Sequence, residues 1–244
     1  MAVWHVEQLG PWMVRVTFTG AELAGLEVDE PAASVRLLLP APGETELVTP
    51  VWRGNEFLLP DGRRPVIRTF TPRRADPKNL ELDLDVVLHE HGVASNWARV
   101  ARPGDPAAVS GPGRGYAVDA NAPGFLLGGD ESAIPAIGQL LEVIPQETPV
   151  EVHIEVAHPE ARLPMPDHEG AVVGWHDLPA DSPPGSQLVA ATINTEIGPG
   201  TQIWVAGEAA SMQRIRRYLF RERGVPRNQA TVRGYWKKTN PVPA

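Results

Sequence analysis

The chain of 244 residues contains no cysteine. That absence excludes disulfides, cysteine-bound iron–sulfur clusters, thiolate zinc sites and cysteine nucleophiles. No apolar run approaches the ~20 residues of a membrane-spanning helix. The opening MAVWHVEQLGPWMVRV lacks the basic and then apolar order of a secretory leader, so a soluble cytoplasmic protein is expected. Positive charge is short as well. The 22 Lys and Arg stand against 30 Asp and Glu, giving a net charge of −8 and a pI near 5.4. Nucleic acid and anionic membranes are therefore not expected partners. His89 and His91 stand two apart and the other histidines are scattered, which is no metal-ligand set. The G-x-S-x-G, P-loop and G-x-G-x-x-G patterns are missing too.

What is present suits a folded chain. A hydrophobic fraction of 42% supplies cores, the charged fraction of 21% is ordinary, and 26 prolines interrupt the elements with loops. The length suffices for two modest domains. The first half reads as short strands. In WMVRVTFTG, Val14, Val16 and Phe18 share a face, and SVRLLLP and NEFLLP are further candidates. The clearest is LELDLDVVLH, with Leu80, Leu82, Leu84, Val86 and Leu88 on one side and Glu81, Asp83 and Asp85 on the other. Period-two alternation predicts half-buried strands of an antiparallel sheet or barrel. A short helix is expected in GVASNWARVA, where Ala94, Trp97, Ala98 and Ala101 recur at helical spacing.

The texture changes near VDANAPG, residues 118–124, so the expected division is 1–119 and 120–244. Beyond it, strands and helices alternate. FLLG leads into DESAIPAIGQLLEVIP, a helix with Ile134, Ile137, Leu140, Leu141 and Ile144 as its stripe and Asp130 as N-cap. VEVHIEVA and IWVAG read as strands, and QLVAATI as either strand or short helix. EAASMQRIRRYLFRERG reads as a helix with Met212, Ile215, Leu219 and Phe220 inward, ended by Gly224 and Pro226. Its arginines Arg214, Arg216, Arg217, Arg221 and Arg223 read as a solvated face complementing the helix dipole. ATVRGYW is a last strand. Alternation of this kind predicts a parallel sheet, so the fold class is an antiparallel β-barrel followed by a Rossmann-like α/β domain.

Several stretches could carry chemistry. In HGVASNWA, residues 91–98, small residues stand where a strand hands over to a helix. There, open N–H groups and the helix dipole attract phosphate, and Ser95 adds a hydroxyl. Taken alone, so short a pattern reads first as a glycine turn with a serine cap. In VIRTFTPRR, Arg68 suits a phosphate, Phe70 an aromatic ring and Thr71 ring heteroatoms, while an ordinary sheet edge ending at Pro72 fits the same letters. FLLGGDESAIPAI and WVAGEAASM both run strand, glycine, helix, as nucleotide-binding turns and routine β/α connections both do. RGYWKK places Tyr235 and Trp236 beside Lys237 and Lys238; Trp236 either packs the last strand or stacks on a cofactor.

The order of these pieces resembles the ferredoxin–NADP reductase superfamily. RTFTPRR, LDLDVVLHEHGVASNWA, GDESAIPAI, WVAGEAASMQRIRRYL and RGYWKK together resemble the siderophore-interacting proteins, the FAD-dependent ferric-siderophore reductases. The resemblance runs from VRVTFTG to GYWKK. It implies FAD on the barrel, held by Arg68, Thr69, Phe70 and Thr71, with Asp85, Val86, Val87, Leu88 and His89 beside the ring system. Gly92, Val93, Ala94 and Ser95 would receive the pyrophosphate, and Trp236 would cover part of the site. Gly129, Asp130, Glu131, Ser132, Gly207 and Glu208 would lie on the nicotinamide side. NADH, NADPH or a protein donor would supply electrons that pass through FAD to siderophore-bound ferric iron, releasing it as ferrous iron. Arg73, Arg74, Lys237 and Lys238, with Arg63 and Arg64, would form a basic rim for an anionic ferric chelate. A monomer is expected. The family pattern usually has Tyr where this chain has Phe70. HPEARLP offers Arg162 but no basic cluster for the 2′-phosphate of NADPH. A general flavin or electron-transfer reductase, or a siderophore- or flavin-binding protein without turnover, are the alternatives.

Overall fold

The computed structural model describes residues 1–90 and 92–238. The chain divides into two compact units, Met1–Tyr116 and the part from Ala117 on.

The first unit is built from β1 (Ala2–Gly10), β2 (Met13–Thr19), β3 (Ser34–Leu39), β4 (Val51–Trp52), β5 (Phe57–Leu58), β6 (Val66–Phe70), β7 (Pro72–Asp76), β8 (Glu81–Val87), α1 (Val93–Val100) and β9 (Ala108–Gly113). Two antiparallel sheets, ordered β1-β2-β8-β7 and β6-β3-β9, enclose one core, and β4-β5 is a separate ribbon. The core takes Val14, Val16 and Phe18 from β2, Val35, Leu37 and Leu39 from β3, and Leu82, Leu84 and Val86 from β8, as alternation predicts. Leu80 falls outside that set. It turns at φ 56° just before β8 and is half-buried. The opposite face of β8 is not a wet face. Asp83 and Asp85 stand across from Thr17 and Arg15 on β2. Arg15 Nε and Nη2 donate to Asp85 at 2.7 and 2.9 Å, Thr17 Oγ1 donates to Asp83 at 2.7 Å, and Arg74 Nε adds a bond to Asp83 at 2.9 Å. Buried carboxylates require such partners. Helix α1 seals the barrel with Ala98 in the core and Trp97 stacked on Phe18, ring centroids 6.0 Å apart.

The second unit contains β10 (Phe125–Asp130), α2 (Ile134–Val143), β11 (Val150–Val156), β12 (Ala171–Asp177), α3 (Ser186–Asn194), β13 (Gln202–Glu208), α4 (Ala209–Arg217) and β14 (Ala230–Trp236). All pairings are parallel, in the order β12-β11-β10-β13-β14. The chain therefore leaves β10 toward one edge and returns to its other side. This puts a topological switch at the carboxyl ends of β10 and β13, the usual place for a ligand crevice. The stripe Ile134, Ile137, Leu140, Leu141 and Ile144 is buried as predicted. QLVAATI is helical, within α3. The expected last helix is shorter than its periodicity suggests: α4 stops at Arg217 and a π turn covers Tyr218–Glu222. Met212, Ile215 and Leu219 are buried, whereas Phe220 is only half-buried.

Candidate functional site

Helix α1 begins after Gly92, whose backbone is extended and carries no capping side chain, and no acidic residue stands in the first turn. The first intrahelical bond runs from Asn96 N–H to the Gly92 carbonyl at 2.7 Å. The N–H groups of Val93, Ala94 and Ser95 thus lead the helix, with the dipole's positive end behind them. A Cβ at 92 would meet the His89 ring at 2.3 Å, so any larger residue there would have to displace that side chain. Ser95 ties this loop down. Its Oγ accepts from His89 N–H and donates to the His89 carbonyl, both at 2.8 Å. The expected hydroxyl donor for phosphate is therefore corrected: the proton of Ser95 is committed to the chain, and only its backbone N–H points onward. His91 lies outside the described residues.

Of the β6 residues, Arg68 and Thr69 are exposed and Phe70 is half-buried against the barrel core. Among the described residues, the Arg68 guanidinium bonds only to the neighbouring Ile67 carbonyl, at 2.8 Å. Thr71 is buried. In the run from Asp85 to His89, the side chains of Val86 and Leu88 belong to the core and the Asp85 carboxylate is held by Arg15, so these three present backbone rather than side chain. Strand β7 pairs with β8 only from Glu81 to Leu84, leaving Asp85–Val87 without a strand partner on that side.

The expected basic rim is largely neutralised. Arg74 contacts Asp83 at 2.9 Å, Glu81 at 2.5 Å and Asp76 at 3.3 Å. The hydrogen bonds to Asp83 and then Glu81 raise its pKa further above the ordinary arginine value. Arg63 is paired with Asp61 and Glu44, and Arg64 with Glu56. Each of these three is paired with a carboxylate in this structure. Arg73 is half-buried. Lys237 and Lys238 are exposed, and among the described residues neither side chain meets a carboxylate.

The second unit gathers its predicted residues around one carboxylate. Asp130 ends β10 and is buried. Its Oδ1 accepts from Ser132 N–H at 3.0 Å, and its Oδ2 from Glu208 N–H at 3.1 Å and Trp236 Nε1 at 2.7 Å. Burial raises its pKa, against the pull of these donors. Glu131 is pushed up to about 7, mainly by burial, although Ala157 N–H donates to it. Glu208 caps α4, accepting from Ala210 N–H at 2.7 Å and Ser211 N–H at 3.0 Å. Glu155, which sequence reading missed, caps α3 with bonds from Gly185 at 2.5 Å, Gln187 at 2.8 Å and Leu188 at 3.1 Å, and burial raises its pKa. It pairs with Asp130 across β10 and β11. The signal was legible: three neighbouring strands each carry an acid at their carboxyl ends, in GGD, IEV and AGE.

These carboxylates change what the glycine turns mean. A Cβ on Gly207 would meet Asp130 Oδ2 at 2.7 Å, and one on Gly129 would meet Ala133 at 2.3 Å. The glycines make room for the protein's own groups. The leading N–H groups of α3 and α4 already have anionic acceptors, so the turns do not fit a pyrophosphate. Arg162 does not fit a 2′-phosphate either, since its Nη2 contacts both carboxylate oxygens of Asp177 at 2.6 Å.

Comparison with known proteins finds a family model for each part of the chain. Residues 2–116 match the model of the siderophore-interacting FAD-binding domain, and residues 122–239 that of the siderophore-interacting protein. The chain is 29% identical over 231 residues to the ferric vibriobactin reductase ViuB of Vibrio cholerae, covering 93% of this chain and 84% of that protein. A siderophore utilization protein from T. fusca superposes with a TM-score of 0.81 at 32% identity, covering 98% of this chain and 92% of that one. The cytochrome P450 reductase GcoB of Amycolatopsis shares the fold at 15% identity, with a TM-score of 0.69 over 97% of this chain and 69% of its own.

Proposed function

Since the chain belongs to the siderophore-interacting protein family, we propose that it is an FAD-dependent ferric-siderophore reductase of the cytoplasm. Electrons from NADH or a protein donor would reach siderophore-bound ferric iron by way of FAD, and the iron would leave as the ferrous ion. The observation that carries this reading is the open, glycine-led N-terminus of α1 in the unit that matches the FAD-binding model. Bound FAD supplies hydride acceptance and the release of single electrons.

The chain's own part is positional. The N–H groups of Val93, Ala94 and Ser95, with Gly92 giving access, receive the pyrophosphate. Arg68, exposed and without a carboxylate partner among the described residues, adds a guanidinium fork. Phe70 offers a ring wall, Thr69 an exposed hydroxyl, and the edge of Asp85–Val87 that faces away from β2 offers backbone groups for the edge of a flavin ring. Trp236, 40% exposed with its N–H held by Asp130, presents a ring face for stacking. Gly129, Asp130, Glu131, Ser132, Gly207 and Glu208 suit the amide and hydroxyl groups of a nicotinamide ribose, not its phosphates. With Arg162 occupied by Asp177, NADH is favoured over NADPH. Lys237 and Lys238 remain as cations for an anionic chelate.

The test is a single titration. Purified protein is expected to be yellow and to release FAD on denaturation. Anaerobic NADH, or a reduced ferredoxin-type donor, should bleach it. A ferric chelate should restore the colour while a ferrous trap develops. Bleaching without reoxidation by the chelate would make it a general flavin reductase; colour without bleaching by either donor would make it a binding protein.

A further inference from the structure

We infer that the outer face of α4 and its π turn forms a binding site for a nucleotide polyphosphate, built from residues that no step above uses. Six of the 22 basic residues fall between 214 and 227, in a chain of net charge −8. Five of them, Arg214, Arg216, Arg217, Arg221 and Arg227, surround a concave pocket of about 490 Å³. The arginines of the barrel, such as Arg15, Arg63 and Arg74, each hold carboxylates. Among the described residues, these five meet none. Like charges at i, i+3 and i+7, as in Arg214, Arg217 and Arg221, repel one another on a helix face. An anion bound among them would relieve that repulsion.

Three features narrow the ligand. Arg216 donates to the Val232 carbonyl, so one guanidinium is fixed in place. The π turn Tyr218–Glu222 carries both Phe220 and Arg221 to the pocket, and such turns recur at functional sites. Phe220 and Val225 make an apolar floor, and the Arg227 guanidinium lies 5.1 Å from the Phe220 ring centroid. Guanidinium forks match phosphate oxygens. The Arg227 guanidinium covers that ring face, and its outer plane, backed by Phe220, can carry a stacked base. A pocket of this volume suits a small molecule rather than a flat protein face, and the chain's acidity disfavours a nucleic acid duplex.

Calorimetry on the purified full chain, with ATP and inorganic tripolyphosphate as probes, tests this without reference to reductase activity. One ATP per chain is expected to bind, more weakly as salt rises. The double change Arg217→Ala and Arg221→Ala should weaken it at least tenfold while leaving the melting temperature unchanged, since both side chains are exposed. Phe220→Leu should weaken ATP severalfold and leave tripolyphosphate unaffected. If that variant melts early, Arg221→Gln alone serves for the phosphate arm and adenosine competition for the base. Failure of ATP to bind, or binding that survives the arginine changes, overturns the proposal. Equal affinity for tripolyphosphate and ATP also overturns it, leaving a patch for any anion or acidic protein surface.

Discussion

Among the described residues, helix α1 begins at Gly92 with no side-chain cap on its first N–H groups, whereas α3 and α4 begin under Glu155 and Glu208. All three follow strands, and all three have the same unmet donors. The difference lies in the residue that supplies the acceptor. In the second unit Glu155 from the end of β11 and Glu208 from the end of β13 accept from the leading N–H groups of α3 and α4, so the anion is already covalently part of the chain. In the first unit the place is left open and the approach is cleared by a glycine held against His89. A strand–glycine–helix turn is thus no evidence of phosphate binding until the owner of its N–H groups is known.

The comparison can be broken from either side. The largest effect is expected from Val93→Asp, which gives α1 the carboxylate that α3 and α4 have. Helix stability should hold, because an acid in the first turn favours the dipole. Flavin affinity should fall by about 100-fold, roughly 3 kcal/mol from a charge set against the phosphates, read by flavin fluorescence. Next, Glu155→Gln removes the charged acceptor of three N–H groups. Urea unfolding is expected to lose about 2 kcal/mol, with flavin content unchanged.

Smaller still is the effect of Glu131, whose folded pKa near 7 stands above its unfolded 4.5. The folded state holds the proton longer, so this group's contribution to stability is greatest below pH 4.5, falls between 4.5 and 7, and is level above. Glu131→Gln should flatten that slope and raise stability at pH 8 by about 1 kcal/mol, measured by denaturation across pH. The smallest change is Phe70→Tyr, expected to alter stability by less than about 0.5 kcal/mol and flavin affinity by less than about threefold. A large shift would give the missing hydroxyl a role.

The sequence made some of this legible and hid the rest for physical reasons. Alternation in β2 and β8 and the stripe of α2 were readable because each buries one face against a core. Strand β12 was not, since it lies at the sheet edge with most side chains half-buried and no contrast between faces. The position of Gly92 was readable as a helix start. The commitment of Ser95 to His89 was not, because either use of a serine there has the same letters. The neutralised rim was hidden for a related reason: the partners of Arg74 come from β7 and β8 across a turn, and only register brings them together.

Asp130 has a consequence for how the second unit is completed. Two of its donors, Glu208 N–H and Trp236 Nε1, come from β13 and from the final strand, 106 residues away in the case of Trp236. A chain cut before β14 would keep its hydrophobic strands β10 to β13 yet leave this buried acid short of a donor, pulling it toward the protonated form. The carboxylate thus ties the last strand to β10 and β13, and a chain cut before β14 should gain more stability on acidification than the full chain does.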